Sequence, residues 1–170
     1  MYQETAPRRR FLLDLRTSSR LPPLPRWTPP MIKSRPSLTL SLLQAREAAM
    51  RFFRPSLNEH GLTEQQWRVV RILHEQGPTE VLKLADLACI LAPSMTGVVS
   101  RMQKAGLVKK QKVLHDQRIV LVDLTDAGYA CFVSMSQCMR ENYLRLQASL
   151  GEARLGELMG LLDDLKQLQC

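Results

Sequence analysis

The sequence predicts a mainly α-helical fold with one small β-hairpin, on two observations. Apolar residues recur every three or four positions over most of the chain after residue 36, and the period changes to that of strands only between 107 and 124. With 170 residues, 45% of them hydrophobic, the chain can bury one core. We therefore expect a single domain, with or without elongated appendages, rather than two independent domains.

Residues 1–36 differ in composition from the rest of the chain. They hold most of the ten prolines and two arginine-rich clusters without sustained periodicity, which predicts a disordered basic arm. Arg8, Arg9 and Arg10 are suited to contact a minor groove or phosphates from such an arm. The alternative is that translation begins at Met31, directly before the periodic pattern, and that the upstream segment is a misassigned start. The domain proper is expected at 37–168.

Two helices are predicted to open this domain. The first begins at Leu38 and ends near Pro55–Leu57, and the second follows the capping box of Thr63 and Gln66 and stops at Gly77. Their apolar positions are Leu42, Ala45, Ala49, Phe52, Phe53, Trp67, Val70 and Leu73. Each helix therefore has one apolar face to bury.

Two short helices joined by a brief turn follow, which is the pattern of a helix-turn-helix. The third predicted helix runs from about Glu80 to Ala88; the fourth begins at Pro93 and ends before Gly106, which we expect in a left-handed conformation. The side chains expected to be buried in the third helix are Leu84, Leu87 and Ala88. Cys89, in the turn, is expected to be a small core residue.

A β-hairpin and two further helices complete the pattern. The hairpin strands are predicted from Leu107 to Val113 and from Arg118 to Leu124, and Thr125 caps a long helix that reaches about Ala148. After a break at Leu150–Gly151, a last helix is predicted to run to the C-terminus. A head made of the helix-turn-helix and this hairpin, the wing, is too small to cover the apolar faces of the terminal helices. These uncovered faces predict a partner subunit. The expected architecture is a winged helix-turn-helix head (about 62–125) with dimerisation helices (about 38–58 and 126–168).

One face of the fourth predicted helix has the composition of a DNA-reading surface. Its buried stripe is expected to be Met95, Val98, Val99 and Met102. The opposite stripe consists of Ser94, Thr96, Gly97, Ser100, Arg101 and Lys104. Small hydroxyl residues let a helix enter a major groove and donate to phosphates and base edges, whereas bulky ones hold it away. The alternative is an ordinary solvated face.

The hairpin adds Lys110 on its first strand and Asp116 and Arg118 at its tip. A tip arginine can enter a minor groove, and a nearby carboxylate can hold its guanidinium by a forked hydrogen bond. A surface ion pair explains Asp116 and Arg118 equally well. The net charge of +8 favours a polyanionic partner without choosing between nucleic acid and an anionic membrane.

The motifs of several other protein classes are missing from the sequence. It contains no CxxC, no histidines at metal-ligand spacing, no phosphate-binding glycine loop and no GxSxG, so we expect no metal, no cofactor and no enzymatic activity. No apolar run approaches the roughly 18 residues of a spanning helix. We therefore expect a cytoplasmic protein with reduced thiols and no membrane partner.

The order of these elements resembles that of MarR-type regulators. The resemblance rests on residues 116–125, preceded by 93–102, and extends over about 38–168. It implies that Arg118 is the minor-groove arginine, Asp116 its positioning partner and the fourth helix the major-groove reader. It also implies a homodimer whose two heads bind adjacent turns of double-stranded DNA. Residues 42–50 and 62–73 are most similar to regulators of homoprotocatechuate degradation operons.

The same resemblance implies a small aromatic acid effector, such as 4-hydroxyphenylacetate or a hydroxylated nicotinate, in a cleft beside the head. Such a site needs a cation and an apolar or aromatic lining, for which the candidates are Arg46, His60, Trp67 and Arg71. Alternatively, Trp67 is a core aromatic and Arg46 pairs with an acid. The predicted function is a ligand-responsive repressor of an aromatic-acid catabolic operon. The alternative is a redox-responsive or ligand-independent winged-helix DNA-binding protein.

Overall fold

The computed structural model describes residues 36–112 and 120–168 of the chain. The predicted arm and the wing tip with Asp116 and Arg118 therefore lie outside the described residues. In chain order the elements are α1 (Leu38–Met50), α2 (Arg54–Glu59), α3 (Glu64–Gln76), β1 (Thr79–Glu80), α4 (Val81–Leu87), α5 (Ala92–Lys104), β2 (Val108–Lys112), β3 (Val120–Leu124), α6 (Asp126–Leu150) and α7 (Glu152–Gln167).

The first predicted helix is divided into α1 and α2, so the expectation of one continuous helix was wrong. The N–H groups of Arg51 and Phe53 donate to carbonyls only three residues back, at 3.3 and 3.1 Å, which closes α1 as a tightened turn. Pro55 stands in the first turn of α2. Its ring would clash with the Arg51 carbonyl and offers it no N–H, so a continuous helix cannot pass this point.

The capping box predicted for the second helix is present at the start of α3. Thr63 Oγ1 accepts from the Gln66 N–H at 3.2 Å, and Gln66 Oε1 accepts from the Thr63 N–H at 2.9 Å. The helix stops at Gly77, whose φ of +72° is open to glycine. These two ends fix which residues of α3 face the core.

The helix-turn-helix of α4 and α5 packs much as the sequence predicts, with one exception. The α5 stripe of Met95, Val98, Val99 and Met102 is fully buried, as are Leu84 and Ala88. Leu87, however, is 47% exposed, because α4 packs through the face that carries Leu84, Ala85 and Ala88. Cys89 is also exposed, with a φ of +49°, so its expected place in the core was wrong.

The hairpin of β2 and β3, called the wing below, is joined by a strand that the sequence did not predict. β1 pairs antiparallel with β3 through Thr79↔Val122, which gives the sheet order β1-β3-β2. The wing strands pair from Val108↔Leu124 to Lys112↔Val120. Thr125 then caps α6 by accepting from the Gly128 N–H at 3.1 Å. The wing therefore passes directly into the long helix.

The core lies mainly in the head and also includes Leu57 of α2 and Met135 of α6; α1 has no fully buried residue, although its Met50 packs against the core. Large hydrophobic side chains are exposed along α1, α6 and α7, at Leu38, Leu40, Leu43, Val133, Leu144, Leu158, Met159 and Leu161.

Within the described ranges no single helix is long and apolar enough to cross a membrane. By length and composition α4 and α5 together could do so, but only as a pair bent by 106°.

Candidate nucleic-acid interface and ligand cleft

The outer face of α5 carries the predicted DNA-reading residues. Their exposure follows from the buried stripe on the opposite side of the helix: Ser94, Thr96, Arg101 and Lys104 are exposed, and Gly97 and Ser100 are half-buried. A Cβ on Gly97 would be 3.4 Å from Nη1 of Arg101, so the guanidinium lies over the glycine one turn earlier. This face thus combines short side chains with two cations.

The wing places further cations beside α5. Lys109 pairs with Asp123 across the two strands, with 3.3 Å between Nζ and Oδ2, whereas Lys110 and Lys112 are exposed without an ion pair to any described residue. Unpaired lysines at the end of a hairpin can neutralise phosphates. Asp116 and Arg118, which the sequence assigns to the tip, lie outside the described residues.

A cleft of about 470 Å³ opens between α1, α2, α3 and α6. Its apolar lining consists of Met50, Phe53, Leu57, Trp67, Phe132 and Met139. Its polar and charged lining consists of Arg46, Glu64, Arg68, Arg71, Glu75, Ser136 and Tyr143. A concave, mostly apolar space with a few polar groups is typical of small-molecule sites. The structure thus brings Arg46, Trp67 and Arg71 together as the sequence proposed.

Trp67 forms an aromatic wall of the cleft. Only 8% of it is exposed, and its ring stacks on Phe132 with 5.8 Å between centroids and 16° between planes. The opposed alternatives for Trp67, a core aromatic or a ligand contact, are compatible, because the same side chain belongs to both the core and the cleft lining. An aromatic ligand could extend this stack.

Arg46 belongs to a four-membered ion-pair network at the cleft. Arg46 pairs with Glu64 and, at 2.6 Å, with Glu47; Arg54 pairs with both acids at 2.5 Å. Burial opposes ionisation of Glu64, but hydrogen bonds from Arg54 and Arg46 hold the pKa of its carboxyl below the ordinary value. The structure therefore contains the ion pairs with acids that were the alternative expectation for Arg46.

Arg68 is a cleft residue that sequence reasoning missed. Its Nη1 donates to the carbonyl oxygens of Ala88 and, at 3.4 Å, of Cys89, while its buried Nε has no hydrogen-bond partner among the described residues. The available signal was spacing, since Arg68 and Arg71 stand three residues apart on one helix face. Arg71 itself pairs with Glu75 at 3.2 Å.

The structure does not bring His60 into the cleft. Its Nδ1 lies 2.8 Å from the Ser56 carbonyl oxygen, and its Nε2 lies 3.4 Å from Ser134 Oγ. It is the C-cap residue of α2 and is not among the residues that line the cleft. In the described part of the chain, no three His, Cys, Asp or Glu side chains are grouped closely enough to hold a metal ion.

Comparison with known proteins assigns the family. The model of the MarR family matches residues 62–120. Over 128 residues the chain is 44% identical to the homoprotocatechuate degradative operon repressor of Escherichia coli, an alignment covering 75% of this chain and 86% of the relative. The chain belongs to the MarR family.

Solved structures agree with this MarR assignment. The structure of transcriptional regulator PA4135 superposes with a TM-score of 0.78 at 60% identity, covering 80% of this chain and all of that one. NadR in complex with 4-hydroxyphenylacetate gives a TM-score of 0.71 at 39% identity, covering 84% and 100%. The protein is thus a MarR-type DNA-binding transcriptional regulator with a winged-helix fold, and its predicted likeness to the homoprotocatechuate subgroup is confirmed.

Proposed function

We propose that this MarR protein is a homodimeric repressor of an aromatic-acid catabolic operon, released from a pseudo-palindromic operator by a small aromatic carboxylate. We propose this class of effector because of the cleft. The indole of Trp67, which stacks on Phe132, lines the same cleft as several guanidinium groups. The winged head (about 62–125) reads DNA, and the helices at about 38–58 and 126–168 form the dimer.

The charge of the cleft favours an anionic occupant. Its lining includes Arg46, Arg68 and Arg71 against Glu64 and Glu75, so three cations less two anions leave a formal charge of +1. The carboxylate of an aromatic acid can accept two parallel hydrogen bonds from a guanidinium of the cleft, and its ring can pack against Trp67. NadR, 39% identical to this chain, has been crystallised with 4-hydroxyphenylacetate, an acid of this kind.

In the proposed complex, α5 enters the major groove and the wing contacts the flanking backbone. Ser94, Thr96, Gly97, Ser100, Arg101 and Lys104 face the bases and phosphates from α5, and Lys110 contacts phosphate from β2. Arg118, held by Asp116, enters the minor groove. Two such heads on one dimer match the two half-sites of a palindrome, one helical turn apart.

The dimer is supported by the apolar faces left uncovered in one protomer. Leu43 on α1, Val133 on α6 and Leu161 on α7 are each more than half exposed, and α1 has no fully buried residue. Side chains of this size gain about 1.5–3 kcal/mol each on full burial. A second copy of the chain offers the same apolar faces in return.

Release from DNA follows from the position of the cleft between the two parts. Its walls come from α1, α2 and α6 on one side and from α3 of the head on the other. An acid that prefers a different angle between these walls shifts the dimer away from the head spacing that fits the operator. We also propose that the protein acts in the cytoplasm and has no enzymatic activity.

The experiment is a fluorescence-anisotropy titration of DNA from upstream of the gene, at fixed salt, with and without 4-hydroxyphenylacetate and hydroxylated nicotinates. Acid binding is followed separately by the fluorescence of Trp67, in a Trp27→Phe variant that leaves it the single tryptophan. The neutral 4-hydroxyphenylacetamide is the matched control for the carboxylate.

We expect sequence-specific binding that the acid relieves and the amide does not, together with a change in Trp67 emission. Specific binding that none of these acids alters would contradict the proposed effector. Binding no tighter than to a scrambled duplex would contradict the proposed operator.

A further inference from the structure

One cation of the cleft differs from the others in its partners. Arg46 is paired with Glu47 and Glu64, and Arg71 with Glu75. Arg68 makes no ion pair with any residue of 36–112 or 120–168. A carboxylate that enters the cleft therefore meets one guanidinium whose charge is not already matched by an acid among the described residues.

The Arg68 guanidinium also reaches the helix-turn-helix. Its Nη1 donates to the carbonyl oxygens of Ala88, which closes α4, and Cys89, which begins the turn. Leu91 at the end of this turn is the N-cap residue of α5. One side chain thus touches both the cleft and the segment that sets the direction of the DNA-reading helix.

This arrangement is imperfect in two respects. The buried Nε of Arg68 has no acceptor in the part of the chain that the structure describes, which raises the free energy of the state with Nη1 on the turn. Cys89 has a φ of +49°, a left-handed conformation that side chains other than glycine seldom adopt. A competing state that pairs Nε and lets Cys89 relax would remove both of these costs.

We propose that Arg68 is the positioning residue that couples the cleft to the DNA-reading helix. In the empty protein its guanidinium holds the carbonyls of Ala88 and Cys89 and fixes the turn before α5. When a carboxylate occupies the cleft, the guanidinium rotates, pairs with it through Nε and Nη, and releases the turn. The inference rests on the proposed function, since it requires an anionic occupant of the cleft.

Arg71 provides the matched control. It is the same residue type on the same helix, three positions further, and it lines the same cleft. It donates to Glu75 within α3, and it makes no hydrogen bond to α4 or to the turn in the described part of the chain. Loss of Arg71 therefore affects only occupancy of the cleft, whereas loss of Arg68 affects transmission as well as occupancy.

The test compares Arg68→Met with Arg71→Met in the full-length chain carrying Trp27→Phe. Binding of 4-hydroxyphenylacetate is followed by Trp67 fluorescence, and operator Kd is measured without acid and at saturating acid. The ratio of operator Kd at saturating acid to operator Kd without acid is the factor by which the acid weakens DNA binding. We expect this factor to be below about twofold in Arg68→Met, although the acid still binds. Arg71→Met should need more acid and reach the parent factor at saturation.

A second measurement needs no substitution at Arg68. The amides of Cys89 and Ile90 donate to the carbonyls of Asp86 and Ala85, at 3.0 and 2.9 Å, and are therefore protected from hydrogen exchange. Saturating 4-hydroxyphenylacetate should speed their exchange in the DNA-free protein.

The outcomes separate this inference from the proposed effector. If the acid relieves operator binding while the turn amides exchange unchanged, or if Arg68→Met keeps the parent factor at saturation, Arg68 is not the coupling residue and the effector stands. If the parent protein binds none of the acids, the first titration overturns the effector and the coupling with it.

Discussion

Gly128 lies directly against the carbonyl oxygen of Leu107: a Cβ on residue 128 would be 2.2 Å from that oxygen. The same oxygen accepts the Thr125 N–H at 3.1 Å. The first turn of α6 and the residue before β2 are therefore in backbone contact, with no side chain between them. This junction connects the long helix rigidly to the wing.

The first prediction is that Gly128→Ala destabilises the protein by about 1–3 kcal/mol, the usual cost of overpacking. The added methyl meets a backbone oxygen, and the Leu124 side chain lies only 3.0 Å away on another side. The backbone oxygen cannot move without shifting the chain that leads into the wing. Urea unfolding at pH 7 measures the change in the free energy of unfolding.

The control is the same substitution in α7. A Cβ on Gly156 meets nothing within 4 Å, so Gly156→Ala should stabilise the helix by up to about 1 kcal/mol through propensity alone. If Gly128→Ala is as stable as the parent protein, the close approach at Leu107 is not a constraint.

Arg101→Ala is expected to weaken operator binding by about 1–3 kcal/mol, or roughly 5- to 150-fold, if the guanidinium reaches a base edge. Arg101 is exposed on α5 and lies over Gly97. Arg140→Ala, an exposed site on α6, removes the same charge away from α5. Anisotropy titrations on the operator and on a scrambled duplex should show lost specificity for Arg101→Ala only. Equal losses in the two variants would indicate a general charge effect.

Much of the fold was predictable because it depends on local signals. The capping box at Thr63, the glycine stops and the four-residue stripe of α5 are each specified within one helix. β1 was missed because two residues are too few to show an alternation, and Thr79 becomes a strand residue only by pairing with Val122. The break before Pro55 was underestimated, although proline chemistry alone accounts for it.

The cleft was less predictable, because its geometry depends on how distant helices meet. Arg46 and Trp67 were identified from residue type, but the network joining Arg46 to Glu64, eighteen residues later, is a tertiary contact. His60 was assigned to the cleft by proximity in sequence and lies outside its lining. The contact of Arg68 with Ala88 spans twenty residues, and no helical spacing indicates it.

Glu64 gives a prediction about pH. Since its folded pKa lies below the ordinary value of 4.5, its ionised form stabilises the folded protein above that pH. This contribution is lost as the pH falls through the folded value. Glu64→Gln should therefore cost about 0.5–1 kcal/mol at pH 7, and the difference from the parent should shrink below pH 4.5.

Urea unfolding of both proteins at several pH values checks this prediction. Glu59→Gln is the control, because Glu59 is exposed at the end of α2 without an ion pair to a described residue. It should match the parent within about 0.5 kcal/mol throughout. A Glu64→Gln cost that stays constant into the acidic range would mean that the carboxylate charge does not stabilise the fold.

The last prediction concerns the uncovered apolar face. Leu161 is 61% exposed on α7, so Leu161→Glu should cost little in an isolated protomer. In a dimer it would bury a carboxylate among apolar side chains, which is unfavourable without a partner. Sedimentation velocity should therefore find the variant monomeric.

Leu82→Glu is the matched control, since Leu82 is 67% exposed but lies on α4 in the head. It should remain dimeric at the same concentration. A monomeric Leu161 variant should also lose affinity for the full operator while keeping that for a single half-site, because joining two heads makes the second contact intramolecular. If both variants remain dimeric, the interface lies on another surface and α7 must be covered by something else.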